Sequence, residues 1–184
     1  MVEYHFILVM KLVNNEEYLG EIVTKDANID ANIEKRVKKG IGLISPVIAI
    51  MKDVSLGRHY FNIGLLFRNS NIINGILTNS EVWYGLKKKH VEQLEKIDEM
   101  FIRKLFSAHS KTPTEALYIE TGLIQIRFII QMRRLMYWWH IVIKTKENSL
   151  VKKVYEAQKN NPARDDWIHA HHFSGQNRTK YRLR

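Results

Sequence analysis

Asp165 and Asp166 stand side by side in a chain that otherwise favours lysine and arginine. Adjacent carboxylates are what a two-metal phosphoryl-transfer site requires, because each ion must be held while it stabilises the attacking and leaving oxygens. The context points elsewhere. The pair follows Pro162 and precedes Trp167, where a short helix can begin. There, acids complement the helix dipole and accept from free backbone N–H groups. Capping is therefore the favoured reading. His169, His171 and His172 could join Asp165 as metal ligands, since Asp165 and His169 are four residues apart. No matching ligand cluster occurs elsewhere, so no metal site is expected. The remaining histidines are scattered. A Gly-rich phosphate loop, a nucleophile elbow and a Ser/His/Asp signature are all missing. No catalytic residue is assigned.

Charge points to binding instead. The 184 residues carry 29 Lys and Arg against 19 Asp and Glu, a formal net charge of +10. Nucleic acid is the commonest partner for such an excess, and an anionic membrane surface is its rival. The cations are grouped: Lys35/Arg36/Lys38/Lys39, Lys87/Lys88/Lys89, Arg103/Lys104, Arg127/Arg133/Arg134 and Lys152/Lys153. One such group is usually a solvated face. Several on successive helices, with acids scarce outside the face made by Glu92, Glu95, Asp98 and Glu99, predict a surface that meets phosphates. Trp138 and Trp139 could stack on bases. In so apolar a segment core packing is the better reading, and Trp83 and Tyr84 carry the same ambiguity.

These groups need elements to hold them. Apolar residues make up 45% and charged residues 26%, a globular composition. There are no cysteines, which excludes disulfides and thiolate zinc. Residues 4–12 and 18–23 are β-branched and apolar, with "NNEE" (Asn14 to Glu17) between them. They predict one β-hairpin. The N-terminal run "FILVMKLV" lacks the flanks of a signal peptide. From residue 30 the pattern is helical. Ile33, Val37, Ile41, Ile44 and Ile48 make an apolar face, with Lys35, Lys38 and Lys39 opposite. Pro46 predicts a break near Ser45. Further helices are expected over 59–77 and 90–106, then from Pro113, capped by Thr112, to Gly122, and over 124–143 and 149–159. In 124–143, three arginines would each cost about 2.5–3.5 kcal/mol near a bilayer centre. A buried central helix with its arginines turned outward is expected there, and no membrane partner. The last residues, 171–184, read as a flexible basic tail.

Four stretches in one order resemble the region downstream of the palm in non-LTR (LINE-type) retrotransposon reverse transcriptases. "EYLGEIVTKDANIDANIEKRVKKGIG" is similar to that family's Tyr-Leu-Gly segment and the lysine-rich helix after it. "INGILTNSEVWYGL" resembles its link between thumb-side helices. "KTPTEALYIETGLIQIRFIIQMRRLMYW" resembles a further basic-hydrophobic block, and "DDW" a charged pair before tryptophan. The likeness spans residues 16–168.

The resemblance implies a mainly α fold, a helical thumb- and connection-like bundle with a small N-terminal β-hairpin. Residues 1–26 would be the primer-grip-like hairpin, with Tyr18, Leu19 and Gly20 positioning the DNA 3′ end. Residues 27–106 would be thumb-like helices, and 107–170 a helical connection. The parent family copies RNA into DNA with magnesium and nucleotide triphosphates. Its catalytic aspartates lie in a Phe/Tyr-Ala-Asp-Asp turn upstream of the Tyr-Leu-Gly segment. No such turn occurs here. The expectation is a C-terminal piece of an RNA-directed DNA polymerase, inactive alone and without a cofactor. Its partners would be RNA, an RNA–DNA hybrid or DNA, and the palm and fingers of the parent polymerase, at an intracellular site, nuclear or cytoplasmic. The alternative is a non-catalytic helical protein-interaction module derived from a retroelement.

Overall fold

The computed structural model describes residues 15–18, 21–24, 28–53, 59–83 and 85–160. Leu19, Gly20, Tyr84, Asp165, Asp166, Trp167, the three neighbouring histidines and the 171–184 tail lie outside the described residues, as does the apolar run 4–12.

The fold is mainly α-helical with a small N-terminal hairpin. Strands β1 (Asn15–Tyr18) and β2 (Glu21–Thr24) pair antiparallel, Tyr18 opposite Glu21 and Asn15 opposite Thr24. The turn was expected at "NNEE". Asn15, Glu16 and Glu17 instead form β1, and the connection falls at Leu19-Gly20, a two-residue link of the kind that suits a tight hairpin.

Helix α1 (Asp30–Asp53) runs through Pro46 without the expected break. Proline inside a helix costs about 3 kcal/mol. Ile44, Val47, Ile48 and Met51 are buried on either side of it. Each such side chain contributes about 1.5–3 kcal/mol, so packing outweighs the proline. The inward face also differs by one residue from the expected one. Ile33 and Ile44 are buried, but Ile41 is about half exposed and Gly40 is buried in its place. A Cβ on Gly40 would lie 2.8 Å from Ile76 and 2.9 Å from Ile97. Glycine is what lets α1 approach its neighbours here.

Helix α2 (Tyr60–Phe67) continues through a π turn (Arg68–Ile73) into α3 (Asn74–Leu77). Helix α4 (Lys88–Leu105) buries Leu94, Ile97, Phe101 and Leu105, as its spacing predicts. It also buries Asp98, which the sequence pattern had placed on an acidic outer face. Helix α5 (Thr114–Thr121) starts after Pro113 and ends at Gly122, whose φ of +64° closes the helix in the left-handed region. Thr112 does not act as its cap.

Helix α6 (Ile126–Trp139) extends through a second π turn (His140–Lys144), and α7 (Leu150–Asn160) follows. Helix α6 is not the buried central helix expected. Ile126 and Ile130 enter the core, but Phe128, Met132, Leu135 and Met136 are exposed. Trp138 packs with Ile141 and Tyr155, and its Nε1 donates to the Tyr155 hydroxyl at 3.0 Å. Trp83 lies in the main core, whereas Trp139 is partly exposed. Among the described residues, no helix is long and apolar enough to cross a membrane.

Candidate nucleic-acid interface

Asp30 meets His90 and Gly40 meets Ile97, so α1 and α4 run parallel. Their N-terminal ends therefore lie side by side, and each end carries partial positive charge from unpaired N–H groups. The sequence adds Lys87, Lys88 and Lys89 at the start of α4, and Lys35, Lys38 and Lys39 beyond the first turn of α1. Cations at a helix N-terminus oppose the dipole, and the first turn of α4 has no acid to relieve them. Lys89 thus lies beside the first turn of α1, and the lysines of α1 follow one to three turns further along that helix.

Their immediate partners temper the field. Lys35 pairs with Glu17 at 2.6 Å, Lys38 with Glu34 at 2.9 Å and Lys88 with Glu92 at 3.7 Å. Lys89 lies 3.3 Å from Asp30. Exposed pairs of this kind hold little energy, so the lysines can exchange a carboxylate for another anion. Lys39 and Lys87 are exposed. Beyond Lys38 on the same side of α1 come Gly42 and Ser45, both exposed, and a Cβ added at Gly42 would meet nothing within 4 Å.

Arg36 is different. It lies on the inward face, donating to Glu21 and, at 3.0 Å, to the Gly75 carbonyl. Glu21 also accepts from Asn32 and, at 3.3 Å, from Asn79. One carboxylate thus ties β2 to α1 and to the segment after α3. This hub holds the hairpin at the lysine-bearing end. The side chain of Tyr18 is not among those described, and Leu19 and Gly20 lie between the two strands.

Two arginines of α6, Arg133 and Arg134, are turned toward the protein, contrary to expectation, while Arg127 is exposed as expected. Arg133 donates to the Leu77 carbonyl and, at 2.9 Å, to Asn74 Oδ1. Arg134 donates to the Trp83 carbonyl at 2.8 Å. Arg127 grips both oxygens of Glu95, at 2.8 and 2.9 Å, and the hydrogen bonds from Arg127 to that carboxylate hold its guanidinium above its usual range. These three are not part of the lysine end.

Sequence reasoning passed over His90 and Asp30. His90 is buried, its Nδ1 accepting from the Lys87 backbone N–H at 3.2 Å and its Nε2 lying 2.5 Å from Asp30 Oδ1. With Nδ1 an acceptor, Nε2 carries the proton and donates. That bond, with help from Lys89, lowers the Asp30 carboxyl below its usual range despite the opposing effect of burial. Both ring nitrogens are occupied, so the pair positions helices rather than acting as a base. The two residues are 60 apart, and no local pattern could have joined them. The Glu21 hub left a fainter trace, since Arg36 falls in the same stripe as Ile33, Gly40 and Ile44.

Among the described residues, no three His, Asp or Glu side chains are placed to hold a metal ion. Comparison with protein-family models, with curated proteins and with solved structures gives no match to this chain.

Proposed function

We propose that this chain is the thumb and connection portion of a LINE-type reverse transcriptase, and that it binds template–primer duplex without catalysing synthesis itself. The reading rests on the resemblance of residues 16–168. The observation that carries it is the meeting of the lysine-bearing start of α4 with the first turn of α1, whose lysines follow beside the hairpin that Glu21 anchors. In this reading the α1 lysines follow the phosphate backbone, with Gly42 and Ser45 allowing close approach. Tyr18, Leu19 and Gly20 sit at the primer end. Magnesium and nucleotide belong to a palm whose Phe/Tyr-Ala-Asp-Asp turn is missing from this sequence.

The test is binding of an RNA–DNA hybrid across a salt series. Replacing Lys35, Lys38 and Lys39 with alanine removes up to three phosphate contacts. On duplex DNA each contact contributes about 0.9 to the slope of log affinity against log salt. The slope is expected to fall, with the far-ultraviolet spectrum unchanged. Lys87→Ala/Lys88→Ala/Lys89→Ala should act in the same direction. A folded triple variant with an unaltered slope sinks the proposal.

A further inference from the structure

The second π turn, at the end of α6, brings together two side chains that an α-helix would keep apart. Residues five apart on an α-helix lie about 140° from one another and share no face. From His140 to Lys144 the turn is wider, closed by the Thr145 N–H donating to the His140 carbonyl at 3.1 Å. Lys144 thereby comes over the Trp139 indole, its Nζ 5.4 Å from the ring centre. Turns of this kind are rare and gather at functional sites.

The indole stands on a firm base. Ile141 is buried with Tyr155 of α7, and Trp138 Nε1 donates to the Tyr155 hydroxyl. Lys152 Nζ donates to the Val142 carbonyl at 3.0 Å, which ties α7 to the turn itself. Trp139 is 42% exposed. His140 and Lys144 are exposed, as is Lys146 just beyond the turn.

We propose that this is a stacking site for single-stranded nucleic acid, in which one base lies on the Trp139 indole and Lys144 and Lys146 take the neighbouring phosphates. The inference rests on the reading that the chain binds nucleic acid, and it adds to the duplex a strand that is not paired.

The chemistry of the site selects that ligand. An exposed indole offers a flat π-face that any unpaired base can cover, whereas the bases of a duplex are already stacked on one another. A cation beside the ring adds to the same interaction. The local charge has one sign. Among the described residues, neither Lys144 nor Lys146 has a carboxylate partner. Glu147, the adjacent acid, lies 3.6 Å from Lys152 instead. Glu81 lies with Met132 and Met136, before the turn, and Arg127 is taken by Glu95, so neither belongs to the site. A nucleotide carries its own phosphate beside its base, and so answers the ring and the ammonium groups together.

The experiment uses the whole chain and a fluorescent oligothymidylate of about twelve nucleotides, with anisotropy as the readout. An abasic strand of the same length presents the same phosphates without bases. The oligothymidylate should bind about fivefold tighter than the abasic strand, or more. Trp139→Ala should remove most of that preference and Trp139→Phe should keep most of it, with circular dichroism unchanged. Lys144→Ala/Lys146→Ala should weaken both strands. A blunt RNA–DNA hybrid should bind Trp139→Ala as it binds the wild type. Lys35→Ala/Lys38→Ala/Lys39→Ala should keep the preference for oligothymidylate over the abasic strand, so failure of the thumb reading is told apart from failure of this one. Equal affinity for the two strands, or no binding of either, overturns the proposal. A folded Trp139→Ala variant that retains the preference overturns it as well. Binding to phosphatidylserine vesicles that depends on Trp139, in place of strand binding, assigns the site to a membrane surface and overturns it. Self-association of the chain that Trp139→Ala abolishes assigns it to a second copy, with the same result.

Discussion

Arg68 meets Asp98 side-on, its Nε and Nη2 each 2.6 Å from one carboxylate oxygen, and both side chains are buried. The pair joins the π turn to α4. The Tyr118 hydroxyl donates to the same carboxylate at 2.9 Å, and Arg68 Nη2 also reaches the Ile124 carbonyl at 3.1 Å. Four parts of the chain thus share one charge pair. Burial, and then the Asp98 charge, push the ionisation of the Tyr118 phenol well above its ordinary range.

Removing one partner leaves the other charged and unpaired in the core. Asp98→Ala is expected to cost about 3–5 kcal/mol. Arg68→Met combined with Asp98→Leu should recover most of that loss, because an apolar pair needs no desolvation of charge. Urea denaturation of the two single variants and the double variant checks this. A single-variant cost below about 1 kcal/mol would show that the pair is not what holds these elements together.

Two glycines two residues apart in α1 should respond with opposite signs. At Gly40 a methyl group would press on Ile76 and Ile97. Gly40→Ala is expected to destabilise by about 1–3 kcal/mol through overpacking. Gly42 has nothing within 4 Å of the new atom, so Gly42→Ala should stabilise by about 0.5–1 kcal/mol through helix propensity alone. Thermal melts of the two variants make the comparison, and equal shifts would contradict the packing described.

The acid limb of stability should depend on Asp30. Its folded-state pKa is lowered from 3.8, chiefly by the hydrogen bond with His90. A depressed carboxyl contributes stability that is fully present above the unfolded value and is lost as pH falls through the folded one. Stability should therefore decline below about pH 4, where the unfolded carboxyl starts to take up protons. Asp30→Asn should flatten that decline and leave the alkaline side unaltered. Denaturation midpoints measured from pH 7 down to 3 test it, and an unchanged acid limb would remove Asp30 from the account.

The helical character and most of the apolar stripes could be read from spacing. Leu94, Ile97, Phe101 and Leu105 follow the helical period and face inward as that period requires. The α5 stop at Gly122 was equally plain. What escaped was decided by partners distant in sequence. The rotation of α6 is set by Arg133 and Arg134 bonding to carbonyls more than 50 residues earlier. Asp98 reads as one more acid on a solvated face until Arg68, 30 residues away, is brought to it. The lysine end was legible only as separate groups, because nothing local indicates that α1 and α4 lie parallel.

That parallel arrangement sets a timetable for the growing chain. The inner face of α1, from Ile33 to Met51, is complete once residue 53 has been added. Ile97 of α4 packs against it at Gly40, and Leu105 meets it near Met51, beside Gly64. Translation proceeds at about 5–20 residues per second, so α1 waits several seconds for the last of that contact. During that interval Ile44, Ile48 and Met51 have no α4 to cover them, and within this fold only α2, the first π turn and α3, which emerge earlier and pack on the same helix, can shield them.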